Sequence, residues 1–575
     1  MPVLNRQVAN ILDRLADTLD IEGANEFRVR AYKSAAQTIR SLSKNVSEMV
    51  ENNEDISKLP NIGDSMADKI KEIVETGSLK QLKKAKKRIP EGLIDLLDIS
   101  NLGPKRVQKL NQELDIKNID DLKKAAKDEK IREIEGFGKK TEEKILEESE
   151  KQISDKEKDR LKWRDAREIT EPLLDYLKKL DEIDQIDIAG SYRRCKETIG
   201  DLDILVICED SKKTMEHFVS YEDTDDVISK GDTRSSIRLT SGLQVDLRVV
   251  SKKSYGSALV YFTGSKAHNI KIRKIAGDKD LKINEYGVFK GDDQVAGKTE
   301  EEVYEQIDLK YIEPELREDR GEIDASRNDD LPKLVTLEDI RGDLQSHTKA
   351  SDGKYTMEEM VNAAKEKGYD YFAITDHSQR VTMARGLNEK RMEEQIKKME
   401  ELNKEIKGIR ILKAVEVDIL EDGSLDLEDE ILKELDVVVC SVHYNRNLSQ
   451  KKQTKRILKA MENPYFNILG HPTGRIIQKR DPIEVNMEEI FKTAKDYNIH
   501  MELNASPERL DLSDFYCKTA RETGIKIAIS TDAHMKSHLD NMIYGVNQAR
   551  RGWLEKEDVL NTHKWSNLKK MLKRN

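Results

Sequence analysis

Asp201 and Asp203 stand two residues apart in the stretch IAGSYRRCKETIGDLDILVI, and Asp246 lies in a second short apolar run, LQVDLRVV. On a strand, side chains at i and i+2 face the same way. Three carboxylates from adjacent strands can hold two magnesium ions about 3.5–4 Å apart. One ion lowers the pKa of an attacking hydroxyl and the other neutralises a leaving pyrophosphate. In-line displacement at phosphorus then needs little besides position and charge. An acidic pair alone is often just a solvated strand end, but here Gly190 and Ser191 precede it. Gly190 ends a strand, and Ser191 opens what reads as a helix carrying Arg193 and Arg194. Hydroxyl, helix N-terminus and guanidinium together suit a triphosphate tail.

Histidine supplies the second candidate chemistry. Of ten histidines only His217 and His268 precede residue 340. Beyond it, seven short apolar runs alternate with helical patterns: GDLQSH, YFAITDH, ILKAVEVDI, VVVCSVH, NILGH, HMELNAS and KIAISTDAH. Six carry a ligand-type residue at or near their end, giving His347, His377, Glu416, His443, His471, and Asp532 with His534. The run ending near Asn504 is the exception, and Asp352 follows His347 by five residues. These five imidazoles and three carboxylates exceed what one four-coordinate ion takes. They suggest two or three ions bridged by a carboxylate, with Glu416 the natural bridge, activating water against a phosphodiester. Mixed nitrogen and oxygen ligands suit manganese, zinc or iron. His500, His538 and His563 fall outside the pattern and read as structural.

The elements that position these residues follow from periodicity. Alternating strand and helix beyond residue 340 implies parallel strands with right-handed crossovers, a distorted (β/α)7 TIM-like barrel whose strand C-termini meet at one mouth. Residues 185–290 contain short β-branched runs that read as strands. Residues 313–338 are polar and acidic with two prolines, the pattern of a linker or extended wrap. The first 150 residues read as helical and hold a three-fold repeat: LPNIGDSMADKI, ISNLGPKRVQKL and IEGFGKKTEEKI. Each has Gly fifth, namely Gly63, Gly103 and Gly138, just before a helix start. Such a turn points backbone N–H groups outward and binds a phosphate without reading sequence. Lys69, Lys109 and Lys144 recur at the eleventh position. A desolvated Lys69 could form a Schiff base with an abasic sugar, but a lysine present in all three copies is more simply a helix or phosphate residue. The stretch LKQLKKAKKR, with six Lys/Arg between Lys80 and Arg88, suits either a solvated helix face or a nucleic-acid strand.

Composition sets the frame. The 575 residues suggest about four domains. Net charge is −10, from 101 Lys+Arg against 111 Asp+Glu. That argues against wholesale basic binding without excluding local patches. There is no apolar run of about 18 residues, so no membrane span is expected. Four widely spaced cysteines without a CxxC fit a reducing cytosol, and the acidic amphipathic N-terminus reads as neither signal nor transit peptide.

The segments also resemble known families. The three repeats resemble helix-hairpin-helix motifs. GSYRRCKETIGDLDIL followed by VDLRVV is similar to the palm of family X DNA polymerases, the DNA polymerase beta type. The similarity continues through YGSALVYFTGSKAHNIKIRKIAGDKDLKINEYGVF. The resemblance implies that Tyr261 and Phe262, with Thr263 and Gly264 after them, border the sugar of an incoming nucleotide. It puts Asn269 on the incoming base and Arg273 on the template strand. Over residues 1–90 it implies a lyase-type domain that binds a 5′-phosphate, with Lys69 at the nucleophile position and Tyr32 nearby. Arg28 and Ser65 stand where the family has phosphate-contacting lysines. Residues from about 340 resemble a PHP domain. Its usual His-x-His opening is here Gln345-Ser346-His347, so one metal position has a poorer ligand.

The resemblance implies an order of domains: helix-hairpin-helix regions at 1–90 and 91–150, an α+β nucleotidyltransferase palm at 151–252, a thumb-like subdomain at 253–315, a linker at 316–339 and the PHP barrel at 340–575. It implies a DNA polymerase for gap filling in base-excision repair, with a 3′→5′ exonuclease and related 3′-end or abasic-site cleavage. Mg²⁺ would sit at the palm, and two or three Mn²⁺ or Zn²⁺ ions in the barrel. Gapped or nicked DNA and dNTPs would be the partners of a cytoplasmic monomer. Three readings compete with it: a nucleotidyltransferase acting on RNA or a small molecule, a barrel hydrolysing small phosphate esters, and a silent end-binding scaffold.

Overall fold

The computed structural model describes residues 5–42, 46–51, 54–76, 79–86, 88, 92–93, 95–99, 102–150 and 160–572. The chain divides into two compact units, residues 1–159 and 160–575. The first unit is helical as its periodicity predicts, with two apolar cores. One is built around Leu12, Leu15, Ile39, Ile70 and Ile73, the other around Leu96, Val107, Leu110, Ile131 and Ile145. The helices that follow the three repeated glycines are Asp64–Thr76, Pro104–Leu114 and Lys139–Glu150.

Among the described residues, every strand lies in the second unit. The pair β1 (Leu161–Lys162) and β3 (Thr198–Ile199) flanks a five-stranded mixed sheet of β2 (Ile183–Ile188), β4 (Asp201–Cys208), β5 (Thr224–Lys230), β6 (Arg234–Leu239) and β7 (Gln244–Val249), in the order β2-β4-β7-β6-β5. Alternation in β4 and β7 buries Leu202, Ile204, Val245 and Leu247 in one core. The edge strand β5, TDDVISK, was not legible as a strand: it is exposed along nearly its whole length and lacks the apolar alternation of its neighbours. A three-stranded antiparallel sheet follows, β8 (Lys282–Asn284), β9 (Gly287–Lys290) and β10 (Asp293–Ala296).

The seven expected barrel strands are all present: β11 (Gly342–Asp343), β12 (Tyr371–Ile374), β13 (Arg410–Asp418), β14 (Val437–Ser441), β15 (Ile468–Leu469), β16 (His500–Asn504) and β17 (Ile527–Ser530). They run parallel in sequence order. The ends approach each other through a Ser346–Ala533 bridge, the His347 N–H on the Ala533 carbonyl at 2.8 Å, and Asp343 accepting from the Thr531 N–H at 3.1 Å. The result is a nearly closed barrel.

Residues 316–339 do not form the expected linker. They include the helix Glu322–Asn328 and bury Arg317, Glu322 and Ile323. Several of its charges point inward to partners, while others, such as Asp324, Arg327 and Asp330, face solvent. Arg317 pairs with Glu300 at 2.7 Å, Glu318 with Arg194 at 3.0 Å and Arg551 at 3.1 Å, and Glu322 with His268 at 2.8 Å. A composition count cannot distinguish such a stretch from a solvated one.

Burial opposes ionisation of Glu300, but Arg317 and Arg193 hold its carboxyl down at about 2, against an ordinary 4.5. Its stabilisation is therefore complete above about pH 4.5 and is lost as pH falls toward 2. Glu300→Gln strands the fully buried Arg317 and should cost about 3 kcal/mol at pH 7. Thermal unfolding of both proteins should show that gap narrowing between pH 5 and pH 2.5. A gap independent of pH would contradict the assignment.

Candidate active sites

In the five-stranded sheet, β4 and β7 are parallel neighbours and pair Asp203 with Asp246 in register. Asp201 lies two residues before Asp203 on β4, so all three expected carboxylates come from one sheet end. Burial, then Asp201 and Asp246, push the Asp203 carboxyl up to about 7. Burial, then Asp246, raise Asp201 as well. Such crowding of anions disfavours their own charge and fits a divalent cation, which restores it. Gly190 is required by two constraints: its φ is +66°, and a Cβ there would lie 2.9 Å from Asp203 Oδ2. Two basic residues that sequence reasoning passed over stand beside the carboxylates. Arg234 Nη2 is 3.8 Å from Asp246 Oδ2, and Arg248 lies over the Phe262 ring at 4.4 Å.

The expected triphosphate cradle is only partly assembled. The helix is a four-residue turn, Gly190–Arg193, too short for a developed dipole. Arg194 is buried, pairs with Glu318 and donates to the Thr263 carbonyl, and its charge is felt at Asp201. Arg193 is likewise committed to Glu300 and Thr263. Ser191 remains half-buried beside Gly190. Tyr261 and Phe262 meet edge to face, and Asn269 donates to the Tyr261 carbonyl at 2.7 Å while its own buried Oδ1 has no partner. Gly264 has φ +70° and abuts Arg194, and Arg273 is exposed one turn beyond Asn269 on the helix Lys266–Gly277.

In the barrel, all eight expected ligand-type residues converge at the strand C-termini. Glu416 lies 3.5 Å from His347, 3.1 Å from His377, 3.5 Å from His443 and 3.0 Å from His471. Asp532 lies 3.1 Å from His347, and Asp352 lies 3.5 Å from His377 and 3.3 Å from His534. Two groups keep their ligand atoms within 4.8 Å of one another: His347, Asp352, His377 and His534, and His377, Glu416 and His443. Both nitrogens of His347, Nδ1 of His377 and Oε1 of Glu416 are buried without a hydrogen-bond partner. Buried polar atoms are normally satisfied, so this donor set fits divalent metal. Burial works against charge on His377, but Glu416 and Asp352 raise it to about 9.

Gln345 stands at the same mouth, fully buried, with both amide atoms unpartnered. Asp418 accepts from the His443 N–H at 3.0 Å and faces its Nδ1 at 3.1 Å, orienting the ring as outer partners of metal-type histidines do. The strand that ends at Asn504, β16, also brings an acid to the mouth. Its Glu502 is buried and accepts from the His471 N–H at 2.6 Å. Burial, then Asp532 and Glu416, push its carboxyl well above the usual range. Asn504 donates to Asp532 at 3.1 Å. Of the histidines read as structural, His500 is peripheral, with Nε2 facing the Met571 carbonyl at 3.2 Å, whereas His538 lies near the mouth and its Nδ1 accepts from the His534 N–H at 3.4 Å.

Four family models match along the chain: a helix-hairpin-helix domain over residues 3–79, a SAM-like helix-hairpin-helix tandem over 93–151, the DNA polymerase beta thumb over 258–318 and the PHP domain over 343–506. A relative from Bacillus subtilis (strain 168), the DNA polymerase/3′-5′ exonuclease PolX, is 36% identical over 574 residues, covering 99% of both chains. A probable phosphatase of Thermoanaerobacter sp. (strain X514) is 32% identical over 231 residues, 38% of this chain and 89% of that protein. The chain belongs to the family X DNA polymerases that carry a PHP domain.

In the N-terminal hairpins, the tight turn falls on the third position of each repeat where it is described: Asn61 has φ +61° and Gly136 φ +90°. Asn101 lies outside the described residues. The fifth-position glycines have no positive φ, and a Cβ on any of them would meet nothing within 4 Å. Their small size therefore leaves open space before the helix N–H groups, which suits close approach of a phosphate. Lys69 is half-buried and donates to the Ser65 carbonyl and hydroxyl, both at 2.7 Å, while Lys109 donates to the Glu135 carbonyl at 2.7 Å. Tyr32 is buried, with its hydroxyl on Gln81 at 3.0 Å, and Arg28 is exposed. Part of the basic stretch at 80–88 lies outside the described residues. Among the described residues no helix is long and apolar enough to cross a membrane.

If Glu416 is the bridge, Glu416→Gln should lower bound divalent metal by at least one ion per chain in elemental analysis of purified protein. His500→Gln should leave metal content at the wild-type level. Full metal occupancy in Glu416→Gln would contradict the bridging role.

Proposed function

We propose that this chain is a DNA-directed DNA polymerase that fills short gaps during base-excision repair, and that its barrel trims DNA 3′ ends as a 3′→5′ exonuclease and related 3′-end or abasic-site phosphodiesterase. The observation that carries the polymerase half is the in-register pair Asp203–Asp246 with Asp201 beside it, crowded against the Gly190 turn. Asp201, Asp203 and Asp246 would hold Mg²⁺. His347, Asp352, His377, Glu416, His443, His471, Asp532 and His534 would hold two or three Mn²⁺ or Zn²⁺ ions. Bound cations supply Lewis-acid activation of the attacking oxygen and neutralise charge on the leaving group.

The chain's own residues do the rest. Asp246, with Oδ1 accepting from Gln244 at 3.4 Å, receives the proton of the primer 3′-hydroxyl. Gly190, Ser191 and Arg194 meet the triphosphate of the dNTP. Tyr261, Phe262 and Gly264 bound its sugar, and the unpartnered Oδ1 of Asn269 faces its base. Arg273 contacts the template strand. The hairpins at Gly63, Gly103 and Gly138 hold the backbone of gapped or nicked DNA, with Arg28 and Tyr32 at the 5′-phosphate end. A Schiff-base role for Lys69 requires a free amine lone pair. The recurrence of lysine at Lys109 and Lys144 favours a phosphate-end role for Lys69 over lyase chemistry. The enzyme would act as a cytoplasmic monomer.

Two double variants separate the centres. Asp201→Ala with Asp203→Ala should reduce dNMP incorporation on gapped DNA by more than about 100-fold and leave 3′-end degradation intact. His443→Ala with His471→Ala should do the reverse. Loss of both activities in either folded double variant would rule out independent centres, and no incorporation by the wild-type chain would rule out the polymerase.

A further inference from the structure

The loops that follow β14, β15 and β16 each bring one arginine to the barrel mouth: Arg446, Arg480 and Arg509. Arg446 Nη2 and Arg480 Nε and Nη2 donate to one acceptor, the Gly474 carbonyl, at 2.6, 3.1 and 2.9 Å. Two guanidinium cations are thus gathered around a single neutral oxygen. Gly474 makes this possible, with φ +56° and no room for a Cβ, which would lie 2.2 Å from Arg446 Nη1.

Among the described residues neither Arg446 nor Arg480 forms an ion pair with a carboxylate. Asp511, the acid whose field reaches both, is buried and accepts from the Thr473 N–H at 3.1 Å and hydroxyl at 2.9 Å. Burial, then Arg480 and Arg509, lower Arg446 to about 10. Arg509 completes the cluster. Its buried Nη1 has no hydrogen-bond partner, and its Nε is 4.0 Å from Asp532 Oδ2. Gly474 belongs to the loop that opens with His471, itself 3.0 Å from Glu416.

Arg446 and Arg480, without a carboxylate partner among the described residues, and Arg509, paired only at 4.0 Å with Asp532, make a site for anions beside a metal-type centre, and planar forked donors match phosphate oxygens. The cluster extends from half-buried Arg509 to exposed Arg480, along a path rather than around one point. We propose that Arg446, Arg480 and Arg509 form a phosphate track that grips consecutive phosphodiesters of a single-stranded 3′ end as it enters the barrel site. The track thereby selects an oligonucleotide over a small phosphate monoester. This rests on the nuclease reading above.

The test uses the full chain and an Arg446→Gln, Arg480→Gln variant, with bound metal measured in both. Anisotropy of a labelled single-stranded trinucleotide in chelator, titrated at several salt concentrations, reads the track without turnover. The expected result is binding weakened at least about tenfold, with the log–log salt slope shallower by about 1.4, or 0.7 per lost phosphate contact. The KM for 3′-end degradation should rise in parallel, with metal content unchanged. Arg480→Lys should recover part of the binding. Superimposable binding curves would overturn the track, as would metal loss unrelieved by Arg480→Lys, which would make the arginines structural. A wild-type chain that binds the trinucleotide but degrades no 3′ end would overturn the nuclease reading alone.

Discussion

Anionic side chains forced close together in poorly hydrated space are the constraint around which the second unit is organised. Three aspartates meet at one end of the palm sheet, and Glu416, Glu502 and Asp532 meet at the barrel mouth. Burial and neighbouring carboxylates disfavour the charged forms of Asp201 and Asp203 in the palm and of Glu502 in the barrel, whereas the histidines around Glu416 and Asp532 hold those two carboxyls well below the usual range. The scaffold supplies what holds them. Pairing of β4 with β7 fixes the palm carboxylates to a register, and parallel barrel strands deliver residues from seven places in the chain to one ring. The reactive groups are held where their own electrostatics would drive them apart, and divalent cations relieve the conflict.

A second set of charges has the opposite character, being fully compensated. Arg194 of the palm pairs with Glu318, which pairs with Arg551 of the barrel, which pairs with Asp514, which pairs with Arg320. Ion pairs of this kind add little to stability compared with apolar replacements, but breaking one by removing a partner is costly. Their contribution is directional. Each fork fits one partner geometry, so palm, thumb and barrel are keyed together.

Much of this was legible in the sequence, for identifiable reasons. The barrel strands were readable because short apolar runs recur with a ligand-type residue at each end, and all eight residues picked out that way converge. The palm carboxylates were readable from an i, i+2 pair and a second β-branched run. The hairpins were readable from their repeat, although the left-handed turn falls on Asn61 and Gly136 and not on the glycines that drew attention. Pairings between distant residues were not readable. Arg194 reads as a phosphate ligand, and nothing in the sequence shows that it also pairs with Glu318, 124 residues away. Residues 316–339 look like a linker until their charges find partners. Glu502 is an acid inside an apolar strand with no spacing to mark it.

The keyed contacts also bear on how two opposed activities share one unit. Glu197 lies in the segment between Arg194 and Asp201, and it accepts from Arg475 and from Gln548 of the barrel at 2.7 Å. Arg475 in turn belongs to the loop that begins with His471. The palm carboxylates and a barrel histidine are therefore anchored through one shared ion pair, four residues from each. Shifting the palm against the barrel would strand Arg475, which is largely buried, and Arg551, which is fully so. Palm and barrel thus share buried ion pairs, and moving either against the other would break them.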